Sequence, residues 1–111
     1  MGELRYGDSD APIKIDDRTL AHLQAVVVAK LRRHECFTVS WRHDSQSAPG
    51  RSTIWVHPAI PLRFVFDDGE PEHLNLEWLQ RLMQSANSTG GIQLVEEPAS
   101  GDWLLEGRNP E

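Results

Sequence analysis

The segment of residues 16–33 constrains the fold most, because it carries the pattern of one complete amphipathic helix. Two acidic residues open it, and three basic residues stand in its last four positions, as the helix dipole favours at each end. At about 100° per residue, one stripe is apolar. That stripe consists of Leu20, Leu23, Val27 and Leu31, flanked by Val26 and Val28. The pattern predicts a helix with this face in the core.

The opposite face of the same helix mixes bases with small side chains. Its members are Arg18, His22, Ala25, Ala29, Arg32 and Arg33. Alanines allow another surface to approach closely. We therefore interpret this face as a contact for an unknown protein partner or for a second copy in a homodimer.

Length and composition are typical of one globular domain without a membrane anchor. The chain has 111 residues, of which 39% are hydrophobic and 25% charged. No apolar run approaches the roughly 20 residues that a membrane span needs, and the first residues lack the layout of a signal peptide. A single cysteine excludes an internal disulfide framework. We expect a cytoplasmic protein.

The net charge of −6 is unevenly distributed. Residues 1–66 carry nine Lys or Arg and seven Asp or Glu, whereas residues 67–111 carry two and ten. The overall charge disfavours non-specific DNA binding. A local basic surface can still form on the first part of the chain.

Alternating and helical patterns predict the order β-β-α-β-β-β-α-β. The predicted strands cover residues 4–6, 13–15, 37–42, 53–57, 62–66 and 92–95. A second helix is predicted from about Leu76 to Ala86, with Asn75 as N-cap. Residues 87–91 end it, with a glycine placed for a left-handed C-terminal turn. This order is typical of an α+β domain, with a largely antiparallel sheet and two helices on one face.

The two faces of the predicted sheet differ in polarity. The helix-facing side is apolar and consists of Phe37, Val39, Trp41, Ile54, Val56, Leu62, Phe64 and Phe66. The exposed side includes a candidate nucleic-acid surface formed by Arg42, Arg51, Trp55, His57 and Arg63. On it, Trp55 would stack a base while the three arginines contact phosphates.

The chain divides into a domain of residues 1–96 and an acidic tail of residues 97–111, which we expect to be flexible. Within the tail, Trp103, Leu104 and Leu105 form an apolar triplet. The triplet either docks back on the domain or anchors another protein.

No arrangement of residues indicates a cofactor or a metal site. The five histidines are scattered and lack the spacing typical of zinc ligands. We interpret Cys36 as a half-buried structural thiol rather than a reactive one, because no catalytic motif surrounds it.

Several segments together resemble a group of small, uncharacterised actinobacterial proteins. These segments are residues 16–23, 30–33, 40–41, 50–52, 54–55, 57–58, 85–88 and 90–91. The resemblance spans roughly residues 1–96, and the group is often labelled ATP-dependent DNA ligase. The label implies adenylation of a lysine and transfer of the nucleotidyl group.

Adenylation requires a nucleophilic lysine in a Lys-x-Asp-Gly motif, together with carboxylates for magnesium. Residues 14–17 match three of the four motif positions, but Asp17 stands where the glycine belongs. A simpler interpretation makes Lys14 an outward strand residue and Asp16 or Asp17 a helix cap. We therefore predict a non-catalytic binding module that pairs with a protein or with itself. Nucleic-acid binding is the alternative.

Overall fold

The computed structural model describes residues 1–8, 11–43, 50–70, 73–95 and 97, together with the backbone of 103–104. These residues form two helices, α1 (Asp17–Leu31) and α2 (Leu76–Ala86). They also form eight strands: β1 (Gly2–Tyr6), β2 (Ile13–Ile15), β3 (Phe37–Arg42), β4 (Arg51–Val56), β5 (Leu62–Val65), β6 (Leu74–Asn75), β7 (Ile92–Gln93) and β8 (Trp103–Leu104). Neither helix has the length and apolar character needed to cross a membrane.

The strands pair mostly antiparallel, which confirms the predicted α+β class. They form two three-stranded sheets, in the orders β2-β1-β5 and β4-β3-β7, and a separate β6-β8 pair. The predicted hairpin of β1 and β2 is confirmed. β7 is the exception, because it runs parallel to β3.

The expectation of one sheet is wrong, because β4 and β5 do not pair with each other. The connection between them contains Pro58 and Pro61, which cannot donate to a ladder. Within it, the N–H of Ile60 donates to the carbonyl of His57 and turns the chain. β5 therefore pairs with β1 instead, from Glu3 opposite Val65 to Tyr6 opposite Leu62.

Side chains cap both helices where the sequence predicts a cap. Asp16 accepts from the backbone N–H of Thr19 at 3.1 Å, and Asn75 accepts from the first residues of α2. α2 ends at Ala86 as predicted, but its C-cap is Asn87 with right-handed backbone rather than a left-handed glycine. Gly91, at φ +72°, instead forms the turn into β7.

The core lies between the helices and the inner faces of the two sheets. Its buried apolar side chains are Leu4, Ile15, Leu20, Leu23, Val26, Val27, Phe37, Val39, Val56, Trp78, Leu82, Ala86 and Ile92. The predicted inner face of β3 and β4 is confirmed, because Phe37, Val39 and Val56 are buried.

The buried face of α1 is rotated about the helix axis relative to the predicted apolar stripe. The prediction is therefore wrong for two residues, His22 and Val28. His22 is fully buried rather than on the outer face, because its ring packs on that of Trp78 with centroids 4.4 Å apart. Val28, predicted to flank the core, is 41% exposed. Packing against α2 therefore decides which face of α1 is inside.

Candidate functional site

A groove of about 570 Å³ runs beside the outward face of α1. Ala21, Ala25 and Val28 form its helical wall, and Phe66 and Leu74 lie across from them. Two acidic residues, Asp68 and Glu70, also line it and are exposed. The groove therefore combines an apolar floor with a negatively charged rim.

The acidic rim is held against the N-terminal end of α1. The side chain of Asp17 accepts hydrogen bonds from the backbone N–H groups of Asp67 and Asp68, at 3.3 and 2.9 Å. The carboxylate of Asp67 also pairs with the N-terminal amine at 2.6 Å. The position of the 67–68 turn is therefore fixed by a residue of the helix itself.

The opposite end of α1 is basic. Arg32 and Arg33 follow the last helical residue, and both are exposed. Arg32 continues the groove-lining stripe, since residues 21, 25, 28 and 32 are spaced four, three and four apart. The guanidinium Nη1 of Arg33 lies 3.9 Å from the carboxylate Oε2 of Glu35. The groove therefore lies beside a helix that has an acidic turn, residues 67–70, at its N-terminal end and Arg32 and Arg33 at its C-terminal end.

The residues predicted to form a partner face of α1 do not all lie at one surface. Ala25 lines the groove, Arg32 and Arg33 are exposed beyond it, and Ala29 is half-buried outside it. Arg18 is not an outer contact, because Glu97 holds its side chain. Of the groove residues outside the predicted face, Ala21, Gln24 and Val28 lie on α1 itself. The others lie within residues 66–74, where the periodicity of α1 gives no signal.

A polar cluster joins the start of α1 to α2 and to Glu97. Arg18 donates to the two carboxylate oxygens of Glu97 at 2.6 and 2.7 Å, and Asn75 donates to the same carboxylate at 2.9 Å. Arg18 also donates to the carbonyl of His73 at 2.7 Å. The hydrogen bond from Arg18 lowers the pKa of Glu97 to about 2. Glu97 is therefore a fixed anion in the fold.

His22 lies inside this cluster in its neutral form. Its Nε2 accepts from the backbone N–H of Asn75 at 2.7 Å. Its Nδ1 lies 2.8 Å from the carbonyl oxygen of Arg18, so this nitrogen carries the proton and donates. Both ring nitrogens are satisfied in a site without solvent access, and the role of His22 is structural.

The outer face of β3 and β4 holds part of the predicted nucleic-acid surface. Trp55 is 50% exposed, and alternation along β4 places it on the same face as Arg51. Arg42 is the cross-strand neighbour of Arg51. Arg63 belongs to the other sheet, opposite Arg5. His57 is exposed, and its Nδ1 accepts from the N–H of Ala59.

Residues 1–97 match a domain of unknown function, DUF7882. The chain belongs to this family. No curated protein and no solved structure gave a significant match to it. The DUF7882 match ends at Glu97, the residue that joins Arg18 and Asn75, so the whole polar cluster lies within the family domain.

Beyond the DUF7882 domain, the structure describes only the backbone of β8. This strand pairs antiparallel with β6, with Leu104 opposite Leu74 and Trp103 opposite Asn75. The side chains of Trp103 and Leu104, and all of Leu105, lie outside the described residues. The sequence left two alternatives for this segment, docking on the domain or anchoring another protein. In the β6–β8 pairing the backbone of the segment docks on the domain.

Cys36 is exposed, so the expectation of a half-buried thiol is wrong. It precedes Phe37, the first inward residue of β3, and alternation turns the preceding side chain outward. Among the described residues of the DUF7882 domain, no group of three or more His, Cys, Asp or Glu could hold a metal ion.

Proposed function

We propose that this DUF7882 domain is a non-catalytic cytoplasmic binding module that pairs with a second copy of itself through the groove beside α1. The observation that carries the proposal is the arrangement of charge about Ala25. An acidic turn lies near the N-terminal end of the helix, and Arg32 lies beyond its C-terminal end. A surface with this pattern is complementary to itself.

The distances are symmetric about Ala25. At about 1.5 Å per residue, Arg32 lies roughly 11 Å from Ala25 in one direction, and Asp17 lies roughly 12 Å away in the other. Two α1 helices packed antiparallel about a twofold axis at Ala25 would therefore bring Arg32 of each copy to the acidic turn of the other. A twofold contact uses the same patch on both copies.

The apolar part of the groove supports the same arrangement. Ala21 and Ala25 leave room for the backbone of a second helix, and Val28 is among the few large exposed apolar side chains. Burying Val28 and the half-buried Phe66 in the pair removes apolar surface from water, which stabilises association.

Ligase-type nucleotidyl transfer, the activity implied by the actinobacterial resemblance, has less support. Asp17 takes the position of the motif glycine, and its carboxylate anchors the 67–68 turn. Lys14 is the exposed residue of β2, with its ammonium 2.8 Å from the carboxylate of Glu3. Both residues have roles in the fold that need no nucleotide.

Single-stranded nucleic acid is the second candidate partner, because the half-exposed Trp55 shares a face with Arg42 and Arg51. The net charge of −6 opposes a long polyanion. Arg63 lies on the other sheet and therefore does not belong to the face that carries Trp55. If this candidate is correct, an oligonucleotide should quench the Trp55 fluorescence, and added salt should reverse the effect.

Sedimentation velocity over a concentration series tests self-association directly. We expect a species of twice the chain mass to appear in the wild type and to be lost in Ala25→Arg. Gln84→Arg adds the same charge at an exposed position of α2 and should still pair. Thermal melts would confirm that all three proteins fold. A wild-type chain that stays monomeric, or an Ala25→Arg variant that still pairs, would contradict the proposal.

A further inference from the structure

A second cleft, of about 620 Å³, lies on a different part of the molecule. Residues of β2 and of the first turn of α1 form one wall. Residues of β3 and β4, together with Gln93, Leu94 and Val95, form the other. Three basic side chains line it, Lys14, Arg42 and Arg51. Asp16 is the one carboxylate among the described residues that line it. In a chain with net charge −6, this is a local concentration of positive charge.

Arg42 and Arg51 face each other directly across the β3–β4 ladder. The next pair along, His43 and Gly50, is joined by a hydrogen bond of 2.9 Å from the N–H of His43. Because bonded and non-bonded pairs alternate, the arginines form a non-bonded pair, with Cα atoms only about 4.5 Å apart. Like charges placed directly opposite each other destabilise a sheet.

The other sheet contains a matching arginine pair with a counter-ion. There Arg5 lies opposite Arg63, and Glu3 pairs with Arg5 at 3.0 Å. Within the described residues, neither Arg42 nor Arg51 makes an ion pair or a side-chain hydrogen bond. Among the residues that the structure describes, the same costly arrangement has a counter-ion in one sheet and none in the other.

The carboxylate of Asp16 does not supply that counter-ion. It accepts from the backbone N–H and the hydroxyl of Thr19, at 3.1 and 2.7 Å, as the cap of α1. The carboxylate of Asp16 therefore already has its hydrogen-bond donors, within the wall of the cleft that α1 forms. The guanidinium groups on the opposite wall keep their donors for another ligand.

We propose that this cleft binds a small phosphate-bearing anion. Arg42 and Arg51 would each offer a planar pair of donors to phosphate oxygens. Lys14, whose ammonium also pairs with Glu3 at 2.8 Å, would add a weaker point charge from β2. The volume is that of a small-molecule site. A small anion meets mainly the local potential of the cleft, whereas a long polyanion also meets the acidic remainder of the surface. The proposal does not depend on self-association.

Titration of the full chain with inorganic pyrophosphate, followed by calorimetry or by backbone amide shifts, tests the site. We expect binding that weakens by about tenfold or more in the double variant Arg42→Ala/Arg51→Ala, because charge-assisted hydrogen bonds are lost. The matched control is Arg63→Ala/Arg81→Ala, which removes the same charge from exposed positions outside the cleft and should bind as the wild type does. Neither variant should lose its fold, since all four arginines are exposed.

Two results would overturn the proposal. One is a wild-type chain that does not bind pyrophosphate at low salt. The other is an equal loss of binding in both double variants, which would indicate only a general charge effect. A parallel titration with a single-stranded oligonucleotide separates the sources of phosphate. Oligonucleotide binding without pyrophosphate binding would assign the arginine pair to nucleic acid and reject the small-anion site.

Discussion

The guanidinium of Arg18 and the carboxylate of Glu97 form a two-bond ion pair across 79 positions of sequence, at 2.6 and 2.7 Å. Arg18 lies in the first turn of α1, and Glu97 is the last residue of the DUF7882 match. Asn75 joins the pair while capping α2. The pair therefore fastens the end of the domain to both helices.

Glu97→Gln should lower stability in a pH-dependent way. The hydrogen bond from Arg18 lowers the pKa of Glu97 from 4.5 to about 2. A lowered folded-state pKa contributes stability above about pH 4.5 that is lost as the pH falls towards 2. We expect a loss of about 1–2 kcal/mol at pH 7, given partial exposure to solvent, and a smaller difference from the wild type near pH 3.

Urea titrations at the two pH values would measure this difference. Asp8→Asn is the control, because Asp8 is exposed, lies outside the groove and makes no ion pair within the described residues. If Glu97→Gln were as stable as the wild type at pH 7, the ion pair would have no role in holding the domain end.

His22→Ala should destabilise the fold by about 2–4 kcal/mol. The substitution removes a fully buried ring from Trp78 and leaves the N–H of Asn75 without its acceptor. Arg32→Ala, on the exposed end of α1, should change stability by less than about 0.5 kcal/mol. Chemical denaturation of both variants would compare them. Equal effects would mean that His22 lies on the outer face after all.

Gly91→Ala should destabilise the protein by more than about 2 kcal/mol. The residue has φ +72°, and an added Cβ would lie 2.6 Å from the backbone carbonyl oxygen of Thr38. Gly69→Ala is the matched control, since no atom lies within 4 Å of the Cβ it would add. The two melting temperatures should differ by several degrees. A Gly91→Ala protein with a wild-type melting temperature would contradict this close approach.

The local elements of the fold could be predicted from the sequence, because their signals are local. The caps at Asp16 and Asn75, the extent of α1 and the inward alternation of β3 each depend on residues a few positions apart. Pairing of β1 with β5 could not be predicted, since it joins strands nearly 60 residues apart. The two prolines between β4 and β5 were a usable signal for the break between sheets.

The candidate groove could be predicted only from its helical side. Ala25 and Arg32 follow from helical periodicity, but the acidic rim reaches α1 through hydrogen bonds from Asp67 and Asp68 to Asp17. His22 was misplaced because the apolar stripe does not reveal that α2 packs against one edge of α1. In both cases the missing information was a contact between distant segments.

Complementary charge reversal tests the self-association most directly. Arg32→Glu and Glu70→Lys each place like charges together at both symmetric ends of the proposed pair. Each variant alone should be monomeric in sedimentation velocity. In an equimolar mixture, every end of a mixed pair again has opposite charges, and we predict a heterodimer of twice the chain mass that weakens with added salt. A mixture that stays monomeric while the wild type pairs, or single variants that pair as well as the wild type, would contradict the account.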